Sequence, residues 1–116
     1  MPFVRLAGLD ELEVDQGHRV ELGDEEAVAL IRTGDGGVHA VIDVCSHEDY
    51  PLSEGFVDDC MIECALHGSR FDLVTGDPDS PPALRPVQVF PVRVDGEDVL
   101  VDLPDDWAKL AQELAY

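Results

Sequence analysis

Apolar residues in the first hundred positions fall in short runs with strand spacing, separated by turn residues. Phe3 to Leu6, His18 to Leu22, Ala27 to Arg32 and Val38 to Asp43 read as strands, the last two joined by Thr33-Gly34-Asp35-Gly36-Gly37. Met61 to Cys64 and Arg70 to Leu73 are shorter strand candidates. Val87 to Val94 and Val99 to Leu103 flank Asp95-Gly96, the best hairpin signal in the chain, because both residues tolerate positive φ. Val99, Val101 and Leu103 alternate with polar neighbours, which predicts one buried face. The preceding run changes frame at Phe90-Pro91, where proline cannot donate to a ladder, so a bulge or edge is expected there. Trp107, Leu110, Ala111 and Leu114 follow Pro104-Asp105-Asp106 at helical spacing and predict a terminal helix over about 104–115, docked on the core.

The stretch from Cys45 to about Pro86 is different, because glycine and proline interrupt it repeatedly. A long irregular segment inside a small β domain is either disordered or organised by something other than its own side chains. No internal repeat or linker divides the chain, and 116 residues suit one domain over 1–116.

Charge narrows the function. Twenty-six Asp and Glu against seven Lys and Arg give a net charge of −19. A phosphate backbone or an anionic membrane needs clustered cations, so nucleic acid and membrane surfaces are excluded as partners. An apolar content of 45% argues for a folded core in spite of that charge. No run approaches the roughly 20 apolar residues of a membrane span, and the N-terminus lacks the pattern of a secretory signal. A cytoplasmic protein is the expectation, and an odd count of three cysteines argues against a disulfide framework.

The chemistry sits in the irregular stretch. Cys45-Ser46-His47 is followed, after sixteen residues, by Cys64-Ala65-Leu66-His67. Structural zinc sites normally group like ligands, two Cys followed by two His. Here each short loop offers one thiolate and one imidazole. A single tetrahedral ion can use such a set, but a two-metal cluster accounts better for the duplicated order.

The pattern Cys-x-His-x₁₆-Cys-x₂-His resembles the signature of Rieske [2Fe–2S] proteins, in which two His replace two Cys on one iron. Leu52-Ser53-Glu54-Gly55, Gly68-Ser69-Arg70-Phe71-Asp72, Thr75-Gly76, Pro82-Ala83-Leu84-Arg85-Pro86 and Phe90-Pro91-Val92-Arg93-Val94 extend the likeness over nearly the whole chain. The resemblance implies an all-β domain of antiparallel sheets, with the cluster held at a tip built from loops within about 45–86. It implies that Cys45 and Cys64 hold one iron and His47 and His67 the other. It also implies a hydrogen bond from Ser69 to a cluster sulfide, although Ser69 can equally cap the Gly68 turn, and a shielding role for Pro81 and Pro82. The respiratory type carries an extra cysteine in each ligand loop. Glu48, Asp49 and Tyr50 after His47, and Ala65 and Leu66 before His67, leave no such pair here, and Phe71 cannot donate where that type has a tyrosine.

Within the family the chain is similar to the soluble ferredoxins of bacterial ring-hydroxylating dioxygenase systems. That likeness implies a one-electron carrier, not an enzyme, which takes electrons from a flavin NAD(P)H reductase and passes them to a terminal oxygenase. Basic docking faces on both partners and a monomeric carrier are expected. Alternative readings are a ferredoxin tied to iron–sulfur assembly, a nitrite reductase small subunit and a zinc-stabilised interaction module. Among the remaining residues, Cys60 reads as a small buried side chain sharing a strand face with Ile62 and lacking a histidine partner. His18 and His39 read as surface histidines.

Glu48, Asp49, Glu54, Asp58 and Asp59 lie in or near the first ligand loop by sequence. One carboxylate about 10 Å from a cluster opposes an added electron by roughly 1–2 kcal/mol before screening, and about 1.4 kcal/mol corresponds to about 59 mV. The reduction potential is therefore expected toward the bottom of the roughly −150 to +300 mV Rieske range. Voltammetry giving a value above about +150 mV would overturn this electrostatic reading.

Overall fold

The computed structural model describes residues 3–22, 27–44, 50–65, 68–79, 86–104 and 107. Its strands form three antiparallel sheets. In the first sheet β1 (Phe3–Gly8) and β9 (Val92–Asp95) flank β10 (Asp98–Asp102). The second runs in the order β2 (Gly17–Glu21), β3 (Ala27–Arg32), β4 (Val38–Ile42), β8 (Val89–Phe90). The third is a meander of β5 (Phe56–Asp58), β6 (Met61–Glu63) and β7 (Arg70–Asp72).

Strand β3 explains this layering. Ala27 through Ile31 are all buried, so apolar side chains leave both faces of the strand. Val28 and Leu30 enter a core with Val4, Val99, Val101 and Phe90, against the first sheet. Ala29 and Ile31 enter a second core with Leu52, Ile62, Phe71 and Cys64, against the third. A sheet covered on one side only would show alternation in β3; the unbroken apolar run reports cover on both.

Most predicted strands are observed within a residue or two. The run from Val87 to Val94 is two strands, because the chain leaves β8 in one sheet and enters β9 in another at Pro91. Proline lacks the N–H that a continuous ladder would need there, and its carbonyl instead accepts from Asp102 N at 3.0 Å. The hairpin is present one residue further along: Asp95 pairs with Asp98, leaving Gly96 and Glu97 as the turn, with Gly96 at φ +64°. Val99, Val101 and Leu103 are buried as their alternation requires. Of the helix expected over about 104–115 only Pro104, which is not helical, and Trp107, which is, lie among the described residues; the Trp107 ring packs on Phe90 with centroids 5.5 Å apart.

Strand β5 is absent from the sequence reading. It is three residues long, its Phe56 side chain is exposed, and it gains strand geometry only by pairing with β6. Gly55 makes that approach possible: a Cβ there would lie 1.9 Å from the carbonyl oxygen of Glu63. Gly55→Ala should therefore destabilise the protein by about 1–3 kcal/mol, as overpacking of a closed contact does. An unchanged urea midpoint in this variant would show that the approach is not tight.

Candidate metal centre

The second Cys–His pair lies on the β6–β7 connection. Glu63 and Arg70 form the last strand pair, and Cys64 follows at the mouth of the loop. Its N–H donates to the Ser69 carbonyl at 2.7 Å, and its own carbonyl accepts from Gly68 N at 2.9 Å. Gly68 closes the loop at φ +76°, a conformation that favours glycine. Cys64 and Ser69 are both fully buried, and Cys64 belongs to the second core. The thiol expected from the sequence to be a ligand is thus carried on a hairpin whose backbone is held by main-chain hydrogen bonds. His67 lies outside the described residues.

Cys45 and His47 also lie outside them, but both flanks of their loop are placed. At one end Asp43 follows β4; at the other Ser53 sits in the 3₁₀ turn Leu52–Glu54. The Asp43 carboxylate accepts from Ser53 N at 2.7 Å, from Ser53 Oγ at 2.6 Å and from Arg19 Nη1 at 2.9 Å. Leu52 is fully buried in the second core beside Cys64. The backbone of β2 closes on the same turn, since a Cβ on Gly17 would lie 2.6 Å from Ser53 Cα.

The proline-containing stretch 80–85, with Pro81 and Pro82, is outside the described residues, and its flanks are likewise tied to the second core. Asp79 N donates to the Arg70 carbonyl at 2.7 Å, and Val87 N donates to the Gly76 carbonyl at 2.9 Å. Gly76 has φ +83°, and a Cβ there would meet the Val87 carbonyl oxygen at 2.1 Å. Ile42 N reaches the Gln88 carbonyl at 2.8 Å, which joins this flank to the β4 end of the first loop.

Two expectations about neighbouring residues are corrected. Cys60 does not share a strand face with Ile62. It occupies the two-residue β5–β6 turn with Asp59, at φ +62° and +53°, because Asp58 pairs directly with Met61. It also has a histidine beside it: Cys60 Sγ lies 3.6 Å from His39 Nε2. Adjacency across strands is invisible in a linear reading, and positive φ at both turn residues is normally announced by Asn-Gly or Asp-Gly, not Asp-Cys. Asp58 and Asp59 are also misplaced by sequence proximity. They occupy the end of the hairpin opposite to Cys64 and line a cavity of about 500 Å³ with Asp15, Asp35, Thr33 and Cys60.

That cavity is not a second metal centre. No three His, Cys, Asp or Glu among the described residues are placed to hold an ion. Burial pushes the Cys60 thiol above its ordinary pKa, and the charges of Asp35, Asp72, Asp59 and Asp15 push it the same way. A raised pKa lowers the thiolate fraction and with it the nucleophilicity of Cys60. Asp35 is shifted down, chiefly by the Thr33 hydroxyl and then by the Gly37 N–H, which stabilise its charged form.

Residues 3–91 match the Rieske [2Fe-2S] domain, and the chain belongs to that family. It is 37% identical over 103 residues to the biphenyl dioxygenase ferredoxin subunit of Pseudomonas sp. strain KKS102, covering 88% of this chain and 93% of that protein. The fold superposes on the ferredoxin of carbazole 1,9a-dioxygenase from Nocardioides aromaticivorans IC177 with a TM-score of 0.79 and 37% identity, covering 87% and 97% of the two chains. It superposes also on a chain of the complex of reduced oxygenase and oxidised ferredoxin in carbazole 1,9a-dioxygenase, with a TM-score of 0.79, 33% identity and coverage of 85% and 100%. The cofactor of the family is a Rieske-type [2Fe–2S] cluster. The described residues suit it: Cys64 offers a buried thiol on a hydrogen-bonded hairpin, and Leu52, which follows the segment bearing Cys45 and His47, shares its core.

Replacing Cys60 tests the assignment of the three cysteines. Cys60→Gly should keep full iron and sulfide content and gain up to about 1 kcal/mol, because glycine relieves the left-handed turn. Cys64→Ser should lose the cluster. Loss of iron in Cys60→Gly would make Cys60 a ligand and overturn the assignment.

Proposed function

We propose that residues 1–116 form one Rieske ferredoxin domain, in which Cys45 and Cys64 ligate one iron of the cluster and His47 and His67 the other. The protein then serves as an electron-transfer component of a ring-hydroxylating oxygenase system and not as its catalytic subunit. The observation that carries this reading is the extent of the similarity: the match covers 93% of a dioxygenase ferredoxin subunit, leaving almost none of it unaccounted for.

When bound, the cluster accepts and releases one electron. The chain's residues set the terms of that exchange. Two neutral imidazoles in place of two thiolates remove two negative charges from the ligand set, which raises the potential relative to an all-cysteine site. Formal charges of two ferric ions, two sulfides and two thiolates cancel, so the oxidised holoprotein keeps a charge near −19. Phe71 is fully buried in the same core as Cys64 and has no side-chain donor. No described helix is long and apolar enough to cross a membrane, and the compartment we infer is the cytoplasm.

The partners we infer are a flavin NAD(P)H-dependent reductase and a terminal oxygenase, each with a basic docking face, met by a monomeric carrier. Opposite charge steers the encounter and makes it salt-dependent. The purified protein should be brown, contain iron and acid-labile sulfide, and give a Rieske EPR signal on reduction. A colourless protein with one stoichiometric zinc would end this reading. Stopped-flow electron transfer to a terminal oxygenase should slow as salt rises, and a rate that stays flat would remove the basic docking face.

A further inference from the structure

We propose that Asp43 is the positioning residue of the cluster site. Its carboxylate clamps the two ends of the first ligand loop and, through Ser53 and Gly55, sets that loop against the second. The inference rests on the Rieske reading above and adds a residue outside the four proposed ligands.

The Asp43 side chain is fully buried, whereas the Arg19 side chain that meets it keeps 37% of its surface exposed. A carboxylate taken out of water is costly unless its lone pairs are engaged. Here three donors engage them, and two belong to a single residue ten positions away. One oxygen takes the Ser53 N–H and the other takes the Ser53 hydroxyl and the Arg19 guanidinium. Ser53 is therefore held at its backbone as well as its side chain, which fixes the position of the turn and not only of a rotamer.

From Ser53 the chain of contacts continues. Gly17 of β2 presses on the Ser53 backbone from one side. Two residues on, Gly55 lies against the carbonyl of Glu63, the residue before Cys64. The path Asp43, Ser53, Gly55, Glu63, Cys64 is thus made of direct contacts and covalent steps. A slack clamp would let the segment bearing Cys45 and His47 shift relative to Cys64, and the cluster would be held less firmly.

The experiment uses holoprotein reconstituted with iron and sulfide and follows bleaching of visible absorbance in excess chelator, with EPR of the reduced state. Ser53→Ala changes no charge and removes one arm of the clamp; it should bleach roughly tenfold faster and broaden the EPR lines. Ser53→Thr keeps the hydroxyl and should restore the rate to within about twofold of the parent. Val101→Ala, in the other core, should lower the melting temperature at least as much as Ser53→Ala while leaving bleaching within about twofold. Asp43→Asn should bleach faster still; if it fails to fold, the Ser53 pair decides. Unchanged bleaching and EPR in Ser53→Ala would overturn the proposal, as would equal acceleration in Val101→Ala. Parent protein with no Rieske signal would remove the cluster reading and this inference with it, whereas a normal parent signal with an inert Ser53→Ala would remove this inference alone.

Discussion

The burial of β3 on both faces is the constraint on which the rest of the structure depends. Five consecutive residues, Ala27 through Ile31, have no access to solvent beyond a few per cent. Covering Val28 and Leu30 requires the β1–β10–β9 sheet, and covering Ala29 and Ile31 requires the β5–β6–β7 meander with Leu52. One strand therefore joins the half built on the first sheet to the half that contains Cys64. The small side chain of Ala29 on the second face leaves room for the larger residues that come from the meander.

The second half is closed by polar contacts more than by strands. Its meander strands have three residues each, near the lower limit of strand length. Stability there comes from main-chain bonds across loop mouths, as at Cys64 and Ser69 or Gly76 and Val87, and from the Asp43 carboxylate. Among the described residues no buried side-chain nitrogen or oxygen lacks a partner. Low-dielectric polar networks stabilise only when complete, so each missing bond would cost more than its share.

Fold class and metal chemistry were legible in the sequence for different reasons. Strand β3 is visible because burial on both faces writes an unbroken apolar run, and a break at Pro91 is visible because proline excludes a continuous ladder, although it reads as a bulge or edge and not as the switch between sheets that it is. The two Cys–His pairs are visible because ligand chemistry depends on residue type and short spacing. What stayed hidden depends on contacts between distant segments. Strand β5 carries no pattern of its own, the Cys60–His39 contact joins positions 21 residues apart, and Asp43 reads simply as the last residue of a strand. Gly55 and Gly17 look like ordinary turn residues until the backbones they admit are seen.

The turn at Asp59 and Cys60 divides the acidic surface into two ranges of action. Four residues, a turn residue and the three of β6, lie between Asp59 and Cys64, a span of roughly 10–16 Å and more than one Debye length at physiological salt. The carboxylates of Asp15, Asp35, Asp58 and Asp59 gather around that turn, at the end of the hairpin away from Cys64, where salt screens their pull on a charge at the other end. They still shape the field met by an approaching macromolecule. Under the ligand set proposed above, the potential is left to the few acids close in sequence to the ligands, and recognition to the many at a distance. Mutation can alter the choice of partner without altering the energy of the electron delivered to it.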